Sequence, residues 1–225
     1  MSKIVIIVGL VFLVSFCGAA FGQIMGPPLP TSSFEGGYTY KWFHRDLEPN
    51  KPIEMEWEVA SFYARYGVTD RVTISFEGGS WEIEHDDFRG TEWDRITVGG
   101  GITARLYDYR GRYFSGFFHY NEVMDSDRSS AHFRKQTRGV ITGIQANNKI
   151  RYRKQTVWIT AGLAYVWDQG KNYVWGERPP LEDESEENLG LVLGANALIR
   201  GRLAPFAYVV YADYWQPRVG VALHW

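Results

Sequence analysis

The stretch that most constrains the fold is Tyr208 to Trp225, which reads YVVYADYWQPRVGVALHW. Pro217, Val219, Val221, Leu223 and Trp225 share one side of it, and Arg218, Gly220, Ala222 and His224 share the other. Apolar residues at every second position match a β-strand, whose side chains alternate between faces, and match no helical period. The stretch finishes on an aromatic with no polar tail after it, which suits a ring held at a membrane–water interface. A strand in lipid also needs a partner on each edge, because an open edge leaves backbone groups without hydrogen bonds.

The same alternation recurs along the chain, punctuated by turn signals. Phe34 to Phe43 sets Phe34, Tyr38, Tyr40 and Trp42 opposite Glu35, Thr39 and Lys41. A second strand over about 55–66 carries Ala60, Phe62, Ala64 and Tyr66 on one face, and Glu54, Glu56 and Glu58 continue that face in the wrong polarity. Either a bulge resets the phase there or the strand has left the apolar layer. Val72, Ile74 and Phe76 alternate with Arg71, Thr73, Ser75 and Glu77, and Ile96, Val98, Ile102, Ala104 and Leu106 alternate with Arg95, Thr97, Thr103 and Arg105. Further strands are expected at about 112–124, 136–146, 151–167, 189–199 and 204–212, the last presenting Phe206, Tyr208 and Val210 as its apolar face. Tight turns are expected near 67, 108, 147 (Asn147-Asn148) and 200, alternating with longer polar loops. Ten strands result, or eight if two weak ones are loop.

Aromatics make up 16% of the chain, yet only one long apolar run exists, from Ile4 to Phe16. Preceded by Lys3 and followed by small residues ending Ala20-Phe21-Gly22, it reads as a secretory signal peptide over 1–22, cleaved before Gln23. A lipoprotein signal using Cys17 and a retained anchor are the rivals; Phe16 is too large for the first and the run is short for the second. Cleavage would remove Lys3 and the only cysteine from a chain of formal charge -2, so an exported protein would have no disulfide to hold it. A weakly acidic balance gives no support for nucleic acid as a partner. Residues 23–33 (QIMGPPLPTSS) form a Pro-rich leader, expected to be a short periplasmic tether, and 34–225 form the barrel.

Alternation does not say which face points inward. A soluble barrel would hide its apolar face; a membrane barrel would show it to lipid. The second arrangement is favoured by aromatics near strand ends, such as Tyr66, Tyr165, Trp167 and Trp225. It is also favoured by the opposing face, which mixes small residues with Arg71, Glu77, Arg95, Arg105 and Arg218. These five are expected to form a charge network in a narrow lumen, with Glu77 paired to Arg95 or Arg105. The fold expected is therefore all-β: a transmembrane antiparallel up-and-down β-barrel of about ten strands. Its last strand should pair with Phe34 to Phe43, turning Arg218 and His224 inward near Glu35.

With its leader, its alternating strands, the segment Arg65-Tyr66-Gly67-Val68-Thr69-Asp70-Arg71-Val72-Thr73-Ile74 and its aromatic last strand, the chain resembles the small outer-membrane β-barrel proteins of diderm (Gram-negative) bacteria. The resemblance covers the whole mature chain and is specific for architecture. It implies residence in the cell outer membrane, contact with outer-membrane lipids and lipopolysaccharide, and handling by periplasmic chaperones and the barrel assembly machinery. Val221, Leu223 and Trp225 would then serve as membrane-interface residues and assembly signal. Such proteins include pores, adhesins, stabilising proteins and a few enzymes, so activity is not specified.

Candidate chemistry is sparse. His119-Tyr120-Asn121 lacks the serine that barrel lipid hydrolases place two residues from their histidine, and His85-Asp86-Asp87 at the rim reads as a solvated loop. Asp125-Ser126-Asp127 and the acidic run Glu182 to Glu187 lack the glycine turn and distal acid of a calcium loop. His44, His85, His119, His132 and His224 show no metal-ligand spacing, and Gly99-Gly100-Gly101 precedes more strand rather than a helix. No catalytic residue, metal or cofactor is expected. The sequence reading is of a non-enzymatic envelope component whose loops contact lipopolysaccharide or a partner. The alternatives are a narrow or gated, porin-like small-solute channel and, behind it, an outer-membrane lipid-modifying enzyme.

Overall fold

The structure, a computed structural model, describes residues 26–46, 54–85, 95–124, 133–153, 155–174, 181–184, 188–212 and 215–225. The expected signal peptide, Cys17, and the loops that include Asp86-Asp87 and Asp125-Ser126-Asp127 lie outside these residues. The regular elements are β1 Phe34–Asp46, β2 Glu54–Thr69, β3 Val72–His85, β4 Arg95–Tyr109, β5 Arg112–Met124 and β6 Phe133–Tyr152. They continue with β7 Gln155–Val174, β8 Leu181–Glu184, β9 Asn188–Ile199, β10 Leu203–Tyr211 and β11 Trp215–His224. Ten of them, β1 to β7 and β9 to β11, pair antiparallel in chain order and close into a barrel; β8 only extends the sheet beside Gln169–Asn172 of β7.

Closure runs from Glu35 opposite His224 to Lys41 opposite Arg218. Beyond it, the Phe34 and Trp225 amides donate to each other's carbonyls at 3.1 and 2.8 Å. Alternation sorts the two faces with apolar groups outward. Phe62, Phe76, Leu189, Leu191 and Leu193 are exposed, whereas Thr39, Ser61, Arg65, Ser115 and Arg218 are buried inside. This is the inverted arrangement that a bilayer demands, and the opposite of a soluble barrel.

Two local expectations are corrected and one open alternative is decided. Asn147-Asn148 is not a turn: both residues lie within β6, and the chain reverses beyond Tyr152. Asn147 faces the lumen, where its Nδ2 donates to Ser115 Oγ at 2.9 Å and its Oδ1 accepts from Thr160 Oγ1 at 2.8 Å. Partners on both neighbouring strands thus replace the local side-chain bond that would have turned the chain. Next, Phe206, Tyr208 and Val210 point into the lumen rather than outward, all at least 95% buried. The Phe206 ring lies over Gly220 and the Tyr208 ring over Gly194, close enough that a Cβ on either glycine would sit 2.3 or 2.0 Å from a ring atom. Lastly, β2 keeps its register past Glu58, so no bulge resets its phase there; its irregularity lies at Gly67–Thr69 instead.

Residues 26–33 are not a free tether. They fold back over the end of the barrel that carries the tight turns. The Leu29 amide donates to Thr73 Oγ1 at 2.7 Å, the Ser32 amide to the Gly67 carbonyl at 2.8 Å, and the Gly67 amide to the Ser33 carbonyl at 2.9 Å. A Cβ at Gly67 would lie 1.9 Å from the Pro30 carbonyl oxygen, so only glycine lets the two backbones come this close.

Candidate functional site

The lumen holds the chemistry, and four strands, β1, β3, β5 and β11, build its centre. Glu77 on β3 places Oε1 2.7 Å from Lys41 Nζ on β1 and 2.9 Å from Arg218 Nη2 on β11. Thr39, two residues before Lys41 and therefore on the same face, accepts from Arg218 Nε. His119 Nε2 stands 4.0 Å from Glu77 Oε2. It reaches across β4 because Gly99 and Gly101 leave the space: a Cβ on either would lie 2.9 Å from a ring nitrogen. The glycines thus open a window through which β5 contacts β3. All four titratable side chains are at most 7% exposed. Charges taken out of water are held only if they are paired and hydrogen-bonded, and one carboxylate here serves two cations.

A second pair lies toward the tight-turn end. Arg65 donates from Nη1 to Glu35 Oε1 at 3.0 Å and from Nη2 to the Pro27 carbonyl at 2.7 Å, so one buried guanidinium ties the lumen to the N-terminal segment. Tyr63, Phe117, Ile141, Val192, Phe206 and Tyr208 form a contiguous apolar cluster inside the barrel, with the Tyr63 and Phe206 rings edge to face at 5.7 Å. A cavity of about 430 Å³ remains at the mouth, between Pro27, Pro28 and Pro30 on one side and Arg105, Tyr113, Lys149 and Trp158 on the other.

The five residues expected to share a lumen network do not all meet. Glu77 and Arg218 pair directly. Arg105, expected beside Glu77, instead bonds Asp108 at 3.1 Å and lies 4.7 Å from the Tyr113 ring centre, at the tight-turn end. Arg71 is exposed in the turn before β3. Arg95 begins β4 opposite Trp81, and its side chain lies outside the described residues. Lys41 and Arg65 were missed. Both share the inward face of their strands with Thr39 and Ser61, but their partners come from strands that only the closed register brings near. Val221, Leu223 and Trp225 are 44%, 48% and 64% exposed on the outer face, and the Trp225 ring packs 5.5 Å from Phe34. Glu35 lies opposite His224 in the closing register, yet its carboxylate pairs with Arg65.

No family model and no curated protein matches the sequence. Solved structures that resemble the chain are outer-membrane β-barrels of Gram-negative bacteria. The translocator domain of the autotransporter NalP from Neisseria meningitidis shares 13% identity over 88% of this chain and 89% of its own, with a TM-score of 0.45. An outer membrane channel from Pseudomonas putida F1 shares 12% over 92% and 98%, with a TM-score of 0.42. The outer membrane protease OmpT from Escherichia coli shares 8% over 86% and 93%, with a TM-score of 0.40. At such identities the likeness is one of architecture. It does correct one reading: a protease stands among these barrels, so the expectation that the chain is not an enzyme is withdrawn.

Proposed function

We propose that the chain is an envelope component of the outer membrane: a closed barrel that acts as an anchor and carries its long connections outside, for contact with lipopolysaccharide or a partner. The observation that carries this reading is the filled lumen. Arg65, Arg218, Ile141, His119 and Gln145 are all fully buried inside it, and residues 26–33 cover the tight-turn mouth. A ten-strand barrel has a narrow interior that long side chains can fill. Export by a leader cleaved before Gln23, delivery by periplasmic chaperones, and recognition of Val221, Leu223 and Trp225 by the barrel assembly machinery belong to the same reading. Purified protein in planar bilayers should give no steady conductance. A stable open current from the folded wild type would replace this reading with the narrow-channel one.

A further inference from the structure

The tight-turn end of the barrel is basic around its circumference. Arg110, Arg153 and Arg200 occupy the tips of three turns, and each has a positive φ, of 49°, 53° and 51°. In two of them the next residue is a glycine that also has a positive φ, Gly111 at 79° and Gly201 at 72°. Hairpins of this kind favour asparagine, aspartate or glycine at the first position, because a larger side chain is strained in the left-handed region. Arginine is thus the costlier choice for the backbone at every one of these tips. Arg112 and Arg202 stand beside two of the same turns, Arg71 lies in a fourth turn between β2 and β3, and all six are exposed. The two carboxylates in these turns, Asp70 and Asp108, are already engaged by Thr31 and Arg105.

Depth identifies what the cations meet. Exposed Tyr107, Tyr109, Phe114, Leu203 and Trp225 form the outer surface just inside the turns, where interfacial aromatics belong. Arg110 lies 5.2 Å from the centre of the Tyr109 ring, and Arg112 is paired with Tyr109 across the hairpin. A guanidinium one or two residues beyond an interfacial ring reaches the headgroup layer, a few ångströms thick on either side of the hydrocarbon core. The basic turns also join β2 to β3, β4 to β5, β6 to β7 and β9 to β10, so they surround the barrel. A protein partner would dock on one side; lipid encloses every side. We propose that these arginines form a binding collar for anionic phospholipid phosphates in the leaflet facing the tight turns.

The inference rests on the membrane-embedded reading, which heat-modifiable gel mobility checks separately for each variant. Wild type and Arg110→Asn/Arg153→Asn/Arg200→Asn would be reconstituted in nanodiscs of equimolar phosphatidylglycerol and phosphatidylcholine, and the retained lipids counted by native mass spectrometry. Wild type should hold phosphatidylglycerol in excess, and the preference should fall at least roughly fivefold for the triple variant. Salt near 1 M should weaken it in wild type. The variant should melt no lower than wild type in zwitterionic lipid, because asparagine relieves the turns. Equal retention of both lipids by wild type overturns the proposal, as does an unchanged preference in the folded variant. If the triple variant fails to fold, Arg110→Asn/Arg200→Asn, confined to the two turns with a following glycine, carries the same comparison. Wild type that ignores anionic lipid but binds an acidic polypeptide would also overturn it.

Discussion

Glu77 and Arg218 meet at 2.9 Å although their strands are not neighbours: β2 and β1 lie between β3 and β11 in the wall. The contact runs through the barrel interior and fixes the closing strand β11 to β3 from within. Truncating the carboxylate would leave Lys41 and Arg218 buried without their shared partner.

Glu77→Ala is therefore expected to destabilise the barrel by about 3–5 kcal/mol, the range for breaking a buried pair. Urea titration of the barrel in lipid vesicles, followed by tryptophan fluorescence, measures this directly. Restoring charge balance with Glu77→Gln/Lys41→Met should recover part of the loss. The variant should stay electrically silent, because the Phe117, Phe206 and Tyr208 cluster is untouched. A Glu77→Ala channel that opens would make the ion cluster itself the gate.

Gly67→Ala should expel residues 26–33 while leaving the barrel closed. The added methyl would occupy the position of the Pro30 carbonyl oxygen, and the displaced segment would lose its bonds to Thr73, Arg65 and Gly67 itself. Limited proteolysis should then cut the segment at least tenfold faster. Equal cleavage rates would mean that Gly67 tolerates the methyl.

Docking of the same segment should weaken in acid. Thr31 donates to Asp70 Oδ1 from its amide at 2.9 Å and its hydroxyl at 2.7 Å, and these bonds hold the carboxyl below its usual range. A depressed folded pKa contributes stability that is present above the unfolded pKa and is lost as pH falls through the folded one. Hydrogen exchange at Thr31 to Ser33 should accelerate below the ordinary carboxylate range, after correction for intrinsic rates. Asp70→Asn should flatten that dependence.

Deleting Trp225 removes both backbone bonds to Phe34 and the ring that packs on it. Assembly should suffer more than any activity of the finished barrel. The heat-modifiable fraction recovered from membranes should fall severalfold, whereas Trp225→Phe, which keeps the bonds and an aromatic ring, should assemble close to normally. Normal insertion of the truncated chain would remove the residue from the assembly signal.

The strands were legible because period two needs only neighbouring residues. Val72 to Glu77 and Ile96 to Leu106 declare their faces without reference to anything distant. Pairing inside the lumen was not legible, since it depends on the shear of the closed wall: Glu77 looks nearest to Arg95 and Arg105 on the adjacent strand, yet Lys41 and Arg218 reach it. Asn147-Asn148 misled because its turn chemistry is local, whereas Ser115 and Thr160, which hold it extended, come from two other strands. Pro27 to Pro30 carried no periodicity from which a docking site could be read.

β10 lacks the polarity that orients the other strands. Leu203, Pro205, Ala207, Val209 and Tyr211 on one face are about as apolar as Ala204, Phe206, Tyr208 and Val210 on the other. Slipping this strand by one residue would cost little transfer free energy in either direction. What distinguishes the two settings is shape, because only one of them drops the Phe206 and Tyr208 rings into the notches at Gly220 and Gly194. Two missing methyl groups on the flanking strands thus act as a key, and they decide which way a greasy ribbon faces when solvent preference offers no vote.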